Sequence, residues 1–148
     1  MAANQDSDIG IDLEAVDRAD AAHRISQRFF SKSEIRDLAA LGPRAPERAL
    51  MLWALTESIV KANGETVWDG LAKISLAIEG RRIHWSPMEH RDNPNLQLAA
   101  GAFRDNGFLA LALKSSIPCV FRTYRFGFEP VEELGFEPEF STYTNLHG

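Results

Sequence analysis

The sequence predicts an α+β domain in which one short strand precedes three helices and antiparallel strands follow them. Two observations carry this prediction. Apolar residues recur at helical spacing between residues 20 and 63, and from residue 72 apolar runs flank the turn sequences Glu79-Gly80 and Asp105-Asn106-Gly107. We expect a single domain over residues 1–126, followed by an acidic, proline-broken C-terminal tail over residues 127–148.

Composition narrows the class of protein. Of the 148 residues, 45% are apolar and 25% charged, as is usual for a soluble globular domain. The net charge of −5 argues against non-specific nucleic-acid binding. No apolar run reaches about 18 residues and Met1–Asp8 has no signal-peptide pattern, so we expect no membrane association and a cytoplasmic location. The single Cys119 excludes an internal disulfide.

The first predicted strand, Ile9–Glu14, carries two acids. Because successive strand residues point to opposite faces, the apolar side chains take one face and Asp12 and Glu14 take the other. The apolar face is interpreted as core. An acidic pair on such a strand indicates a positive partner, most simply a divalent cation. The alternative is an edge strand whose acids lie in water.

Three helices are predicted next. The first covers Asp20–Phe29. Ser31-Lys32-Ser33-Glu34 is a capping box that opens the second helix, which ends at Gly42-Pro43. The third covers Pro46–Asn63 and is apolar nearly all round, so we expect it to be buried.

The third helix carries a polar stripe. Trp53, Glu57 and Lys61 are spaced i, i+4, i+8 and share a face with Leu50. A Glu and a Lys on a buried helix are costly unless something pairs with them. They are either a simple i, i+4 ion pair or part of a functional site.

Antiparallel strands complete the predicted domain. Ala72–Ile78 and Arg81–Trp85 form one hairpin, and Leu96–Phe103 and Phe108–Lys114 form a second. Cys119–Phe126 alternates like a final strand.

Three sequence blocks together resemble the 4′-phosphopantetheinyl transferases, and are most similar to the larger, surfactin-synthetase-activating type. The blocks are Gly10-Ile11-Asp12-Leu13-Glu14, then Arg28-Phe29-Phe30-Ser31-x-x-Glu34, then Trp53-x-x-x-Glu57-Ser58-x-x-Lys61. They occur in the family's order and cover residues 9 to about 64. The larger members carry two similar halves with the site in the cleft between them, and this chain resembles the second half. We therefore expect self-association, as a dimer or a ring, to complete the site.

The resemblance implies a chemistry. Such enzymes transfer the phosphopantetheine arm of coenzyme A to a serine of an acyl or peptidyl carrier protein, with Mg²⁺. It implies that Asp12, Glu14 and Glu57 hold the metal. It also implies that Glu57, or a metal-bound water that Glu57 holds, accepts the serine proton. Lys61 is implied to be a catalytic and coenzyme A-binding residue that reaches a phosphate oxygen.

The chain departs from the family at Thr56, where a lysine is usual. Weaker coenzyme A binding or slower transfer is expected from the missing cation. The alternative is a non-catalytic relative that binds coenzyme A or a carrier domain, or one half of a split enzyme.

Other candidates are weaker. His23, His84, His90 and His147 lack metal-ligand spacing, so no zinc site is expected. No glycine-rich phosphate loop occurs. Basic residues recur every four positions across the first two helices: Arg24, Arg28, Lys32 and Arg36. They form either a solvated face or a patch that docks an acidic protein or the phosphates of coenzyme A.

Overall fold

A six-stranded, mostly antiparallel sheet and three α-helices form the domain, so the predicted α+β class is confirmed. The structure is a computed structural model that describes residues 8–66, 74–87, 95–104, 106–115, 117–119, 121–125, 132–134, 136 and 138–142. None of the helices in these ranges combines the length and apolar composition needed to cross a membrane.

The elements follow the chain as β1 (Ile9–Ala15), α1 (Ala19–Phe29), α2 (Lys32–Ala40), α3 (Ala45–Asn63), β2 (Ile74–Glu79), β3 (Arg82–Pro87), β4 (Leu96–Phe103), β5 (Gly107–Lys114), β6 (Thr123–Arg125), β7 (Glu132–Leu134) and β8 (Phe140–Ser141). Single 3₁₀ turns follow β1 and α2. The strand order of the main sheet is β1-β5-β4-β8-β3-β2, and β6 pairs with β7 separately.

Helix α3 is the centre of the core. Pro46 stands in its first turn, where a missing N–H costs nothing, and Gly64 ends it in the left-handed conformation at φ 67°. Twelve of its 19 residues are buried, which confirms the predicted burial. It packs against β1, β5 and α1 and so connects the sheet to the other helices.

Strand β1 is the edge of the sheet and lies directly against α3. This approach requires Gly10, because a Cβ there would collide with the Ser58 backbone oxygen and lie 2.6 Å from the Ala62 nitrogen. The facing side of β5 is also small, since Ala110 and Ala112 stand beside Asp12 and Gly10. Small residues on this face leave room for the helix.

The faces of β1 are the reverse of the predicted ones. Alternation is confirmed, but Asp12 and Glu14 are only 7% and 6% exposed, whereas Ile11 and Leu13 are 36% and 57% exposed. The interpretation of the apolar face as core was wrong, and so was the alternative that left the acids in water. The strand turns its acids inward because that face also carries Gly10, which alone allows the contact with α3.

Both predicted hairpins are confirmed as β2–β3 and β4–β5, although Ala72 and Lys73 of the first predicted strand lie outside the described residues. The capping box of α2 is confirmed as well. The Ser31 hydroxyl accepts the Glu34 N–H, and Glu34 Oε2 accepts the Ser31 N–H at 2.8 Å. The other Glu34 oxygen accepts the Leu76 N–H at 3.0 Å. The cap therefore also ties α2 to β2.

The predicted final strand was too long. Among the described residues of Cys119–Phe126 only Thr123–Arg125 is a strand, and it pairs with β7 in a separate two-stranded sheet. Val120 and Phe126 lie outside the described residues. Within the segment predicted as a tail, Phe140–Ser141 lies between β3 and β4 in the main sheet. The boundary near residue 126 stays a prediction, since residues 126–131 are not described.

Candidate functional site

The acids of β1 meet the polar stripe of α3. Lys61 Nζ lies 2.6 Å from Asp12 Oδ1 and 3.5 Å from Glu57 Oε2. The Asp12 side chain is 8% exposed and that of Glu57 18%, whereas Lys61 is 45% exposed. Three residues that the sequence separates by up to 49 positions therefore form one connected charge cluster at the surface end of α3.

Glu14 stands two residues beyond Asp12 on the same face of β1, and its partner is Arg18. The Arg18 Nη1 to Glu14 Oε2 distance is 2.7 Å. Arg18 ends the 3₁₀ turn Val16–Arg18, which folds the chain back towards the strand. The role of Arg18 was not predicted from the sequence. Arg18 follows Glu14 by four positions, but this spacing brings two side chains together only if the chain turns after the strand.

The pKa values of Glu14 and Lys61 are both raised by their surroundings in the cluster. Burial raises the pKa of Glu14 above its ordinary value, and the charges of Asp12 and Glu57 raise it further against the lowering effect of Arg18. Burial by itself would lower the pKa of Lys61. The hydrogen bond and charge of Asp12, with a smaller contribution from Glu57, outweigh burial and raise the pKa of Lys61 above its ordinary value. Lys61 is therefore a cation at neutral pH.

The donor set fits a hard divalent cation. The three carboxylates of Asp12, Glu14 and Glu57 face the two cations Arg18 and Lys61, which leaves one formal negative charge. In the described part of the chain, Asp12 Oδ2 is buried without a hydrogen-bond partner. Carboxylate oxygens are the ligands that Mg²⁺ prefers. However, no three His, Cys, Asp or Glu side chains of the described ranges are already arranged to hold a metal. Oxygens of Asp12 and Glu14 are directed to Lys61 and Arg18 instead.

Thr56 does not face the cluster. It is 4% exposed and its hydroxyl donates to the Leu52 carbonyl at 2.9 Å. Trp53, on the polar stripe, lines a small cavity of about 30 Å³ together with Glu14 and Arg18. The predicted stripe of Trp53, Glu57 and Lys61 therefore lies on one side of α3. Thr56, which departs from the family's pattern, is buried in the core instead.

Two further features lie apart from the acids. The four basic residues of the first two helices, Arg24, Arg28, Lys32 and Arg36, are all exposed, which leaves both interpretations of that patch open. A cavity of about 270 Å³ opens beside the first half of α3, between Leu50, Met51 and Phe108. None of the acids or their cationic partners lines it.

Comparison with known proteins assigns the family. The sequence model of the 4′-phosphopantetheinyl transferase superfamily matches residues 8–101, well over half of the chain. The match runs from β1 into β4 and includes Asp12, Glu14, Glu57 and Lys61. Comparison with curated proteins gave no match. The matched family supports a phosphopantetheinyl transferase role in general. The chain belongs to the 4′-phosphopantetheinyl transferase superfamily.

Proposed function

We propose that the chain transfers the 4′-phosphopantetheine arm of coenzyme A to a serine hydroxyl of an acyl or peptidyl carrier protein, with Mg²⁺ as cofactor. The observation that supports this most is the connected cluster of Asp12, Lys61 and Glu57, which joins two blocks of the matched family in space. The cluster lies at the surface, where a coenzyme and a protein substrate can both reach it.

Asp12, Glu14 and Glu57 would hold the metal in this proposal. The buried, unpartnered Asp12 Oδ2 supports it, since a buried carboxylate oxygen without a donor is costly unless a ligand supplies positive charge. When bound, Mg²⁺ neutralises charge on the pyrophosphate of coenzyme A and on the leaving adenosine bisphosphate.

The residues of α3 have separate roles. The serine oxygen forms a bond to the phosphorus that carries the pantetheine arm, the bond from that phosphorus to the bridging oxygen breaks, and Glu57 accepts the serine proton. Its side chain, 18% exposed, is open to a docked hydroxyl. Lys61 donates a hydrogen bond to a phosphate oxygen. Its side chain is 45% exposed, so it can reach the phosphate once its ion pair with Asp12 opens.

A second subunit completes the site in this proposal. Ile11, Leu13 and Val16 are exposed apolar residues on and just after the edge strand that carries the acids. An apolar edge strand that stays in water is an association hazard, and a second copy of the chain would cover it. The second copy would lie along the edge strand that carries Asp12 and Glu14, against the face of β1 opposite to these acids.

Loading of a carrier protein tests the function. The chain is incubated with an apo acyl or peptidyl carrier protein, coenzyme A and Mg²⁺, and the carrier is weighed by mass spectrometry. Addition of one phosphopantetheine is expected with the wild type and with Glu47→Ala, an exposed control on the same helix, but not with Asp12→Ala or Glu57→Ala. Wild-type rates in either site variant would refute the assignment.

The second candidate is a non-catalytic relative that binds coenzyme A or a carrier domain, or that pairs with a separately encoded half. Thr56 favours it, because a lysine is usual in the family and the Thr56 hydroxyl is committed to Leu52. Calorimetric titration of coenzyme A with and without Mg²⁺, followed by the loading assay, distinguishes the two. Binding without transfer supports the relative, and transfer excludes it.

A further inference from the structure

The contact between Arg18 and Glu14 joins side chains of very different exposure. Arg18 is 62% exposed and Glu14 only 7%, yet their charged atoms lie 2.7 Å apart. The exposed Arg18 guanidinium can move away into water at little cost in free energy, because exposed ion pairs contribute little to stability. The Glu14 carboxylate stays buried, because its strand is paired with β5 and packed against α3.

Glu14 needs a positive partner in this position. It is 6% exposed and stands two residues from Asp12, which is 7% exposed on the same face of β1. A buried carboxylate without a positive partner is costly. Arg18 therefore stabilises and orients the Glu14 carboxylate in the protein as described.

We propose that Arg18 is a positioning residue that occupies Glu14 in the metal-free protein and is displaced when a divalent cation binds there. This inference rests on the function proposed above, since it concerns the same carboxylates. The ion pairs explain why no ready metal cluster occurs in the described residues although three carboxylates are near one another: Arg18 and Lys61 hold the oxygens.

Arg18 and Lys61 differ in what they can do after displacement. Lys61 lies between Asp12 and Glu57 and would remain beside the reacting phosphates. Arg18 contacts Glu14 from the turn after β1, and its described ion pair is with Glu14 rather than with Asp12 or Glu57. Its removal should therefore change metal affinity without removing a phosphate contact.

Binding of Mn²⁺ tests the inference. Mn²⁺ shares the oxygen-ligand preference of Mg²⁺ and its free concentration can be measured by electron paramagnetic resonance. The full chain is titrated without coenzyme A, in the same buffer for every protein. The variants are Arg18→Gln, Arg18→Lys and Arg36→Gln, an exposed control on α2 with the same change of charge.

Arg18→Gln should bind Mn²⁺ about two- to fivefold more tightly, because a competing partially exposed cation is gone. The melting temperature of the metal-free variant should fall, and the increase in melting temperature on adding Mn²⁺ should be larger than in the wild type. Arg18→Lys, which restores a cation, should return both quantities towards wild-type values, and Arg36→Gln should match the wild type.

Equal or weaker Mn²⁺ binding by Arg18→Gln, with normal binding by the wild type, would overturn displacement of Arg18 and leave the proposed transferase site standing. Absence of binding in all four proteins would overturn the metal site, and this inference with it. If Arg18→Gln does not fold, the comparison uses Arg18→Met, which keeps an unbranched side chain but also removes the cation. Mn²⁺ affinity and melting behaviour equal to those of the wild type in Arg18→Met would then refute the inference.

Discussion

Lys61 Nζ lies 2.6 Å from Asp12 Oδ1, so an ion pair connects the last turn of α3 to the middle of β1. The same ammonium lies 3.5 Å from Glu57 one turn earlier on the helix. The pair therefore has two consequences at once. It holds the edge strand against the central helix, and it places an acid from each element around one cation.

Gly10→Ala should loosen this arrangement. The added Cβ would collide with the backbone of Ser58, which a helix interior cannot move cheaply, so β1 must shift away from α3. We expect a loss of about 1–3 kcal/mol in the free energy of unfolding, measured by urea denaturation. Ala15→Ser, an exposed change on the same strand, should stay within about 0.5 kcal/mol. Equal stability of the two variants would contradict the close approach.

Glu14→Gln should change how stability depends on pH in the metal-free protein. The pKa of Glu14 is raised by burial in the folded state above its ordinary value of 4.5, so the folded chain holds this proton to higher pH than the unfolded chain does. Stability of the wild type relative to Glu14→Gln should therefore be highest below about pH 4.5 and decrease as pH rises towards the folded-state pKa. Urea denaturation of both proteins from acid to neutral pH measures the difference, and a trend of opposite sign would refute the raised pKa.

Leu13→Asp should disrupt self-association. Leu13 is 57% exposed on the proposed contact face, and a carboxylate there cannot be buried against a second copy without a large desolvation cost. At tens of micromolar we expect light scattering to report an oligomer for the wild type and a 16.5 kDa monomer for the variant. Ala40→Asp, which adds the same charge at the exposed end of α2, should remain oligomeric. A monomeric wild type would argue against the completed site.

The Thr56→Lys variant tests whether position 56 reaches the phosphates of coenzyme A or only packs in the core. If position 56 faced the phosphates, the added cation would tighten coenzyme A binding about ten- to hundredfold. Because Thr56 is 4% exposed and bonded to Leu52, we instead expect the variant to lose about 1–3 kcal/mol of stability without tighter coenzyme A binding. Calorimetry and urea denaturation measure both quantities, with the isosteric Thr56→Val as control. Tighter binding by a stable Thr56→Lys would show that the position reaches the coenzyme.

The local structure and the family could be predicted from the sequence. The capping box at Ser31 and Glu34, the glycine end of α3 and the two hairpins depend on residues close together in the chain, so their patterns were sufficient. The same holds for the stripe of Glu57 and Lys61, since helical spacing fixes which side chains share a face.

Which face of β1 is buried depends on how the strand packs against α3 and could not be predicted from the sequence. Alternation separates the two faces of a strand, but it does not state against which face a helix packs. The collision that a side chain at Gly10 would make with α3 selects the face of Asp12 and Glu14. Thr56 is buried because elements that are distant in the sequence pack around α3. Arg18 reaches Glu14 because the chain makes a 3₁₀ turn directly after β1. Such contacts depend on how elements meet, which no periodicity within one element specifies.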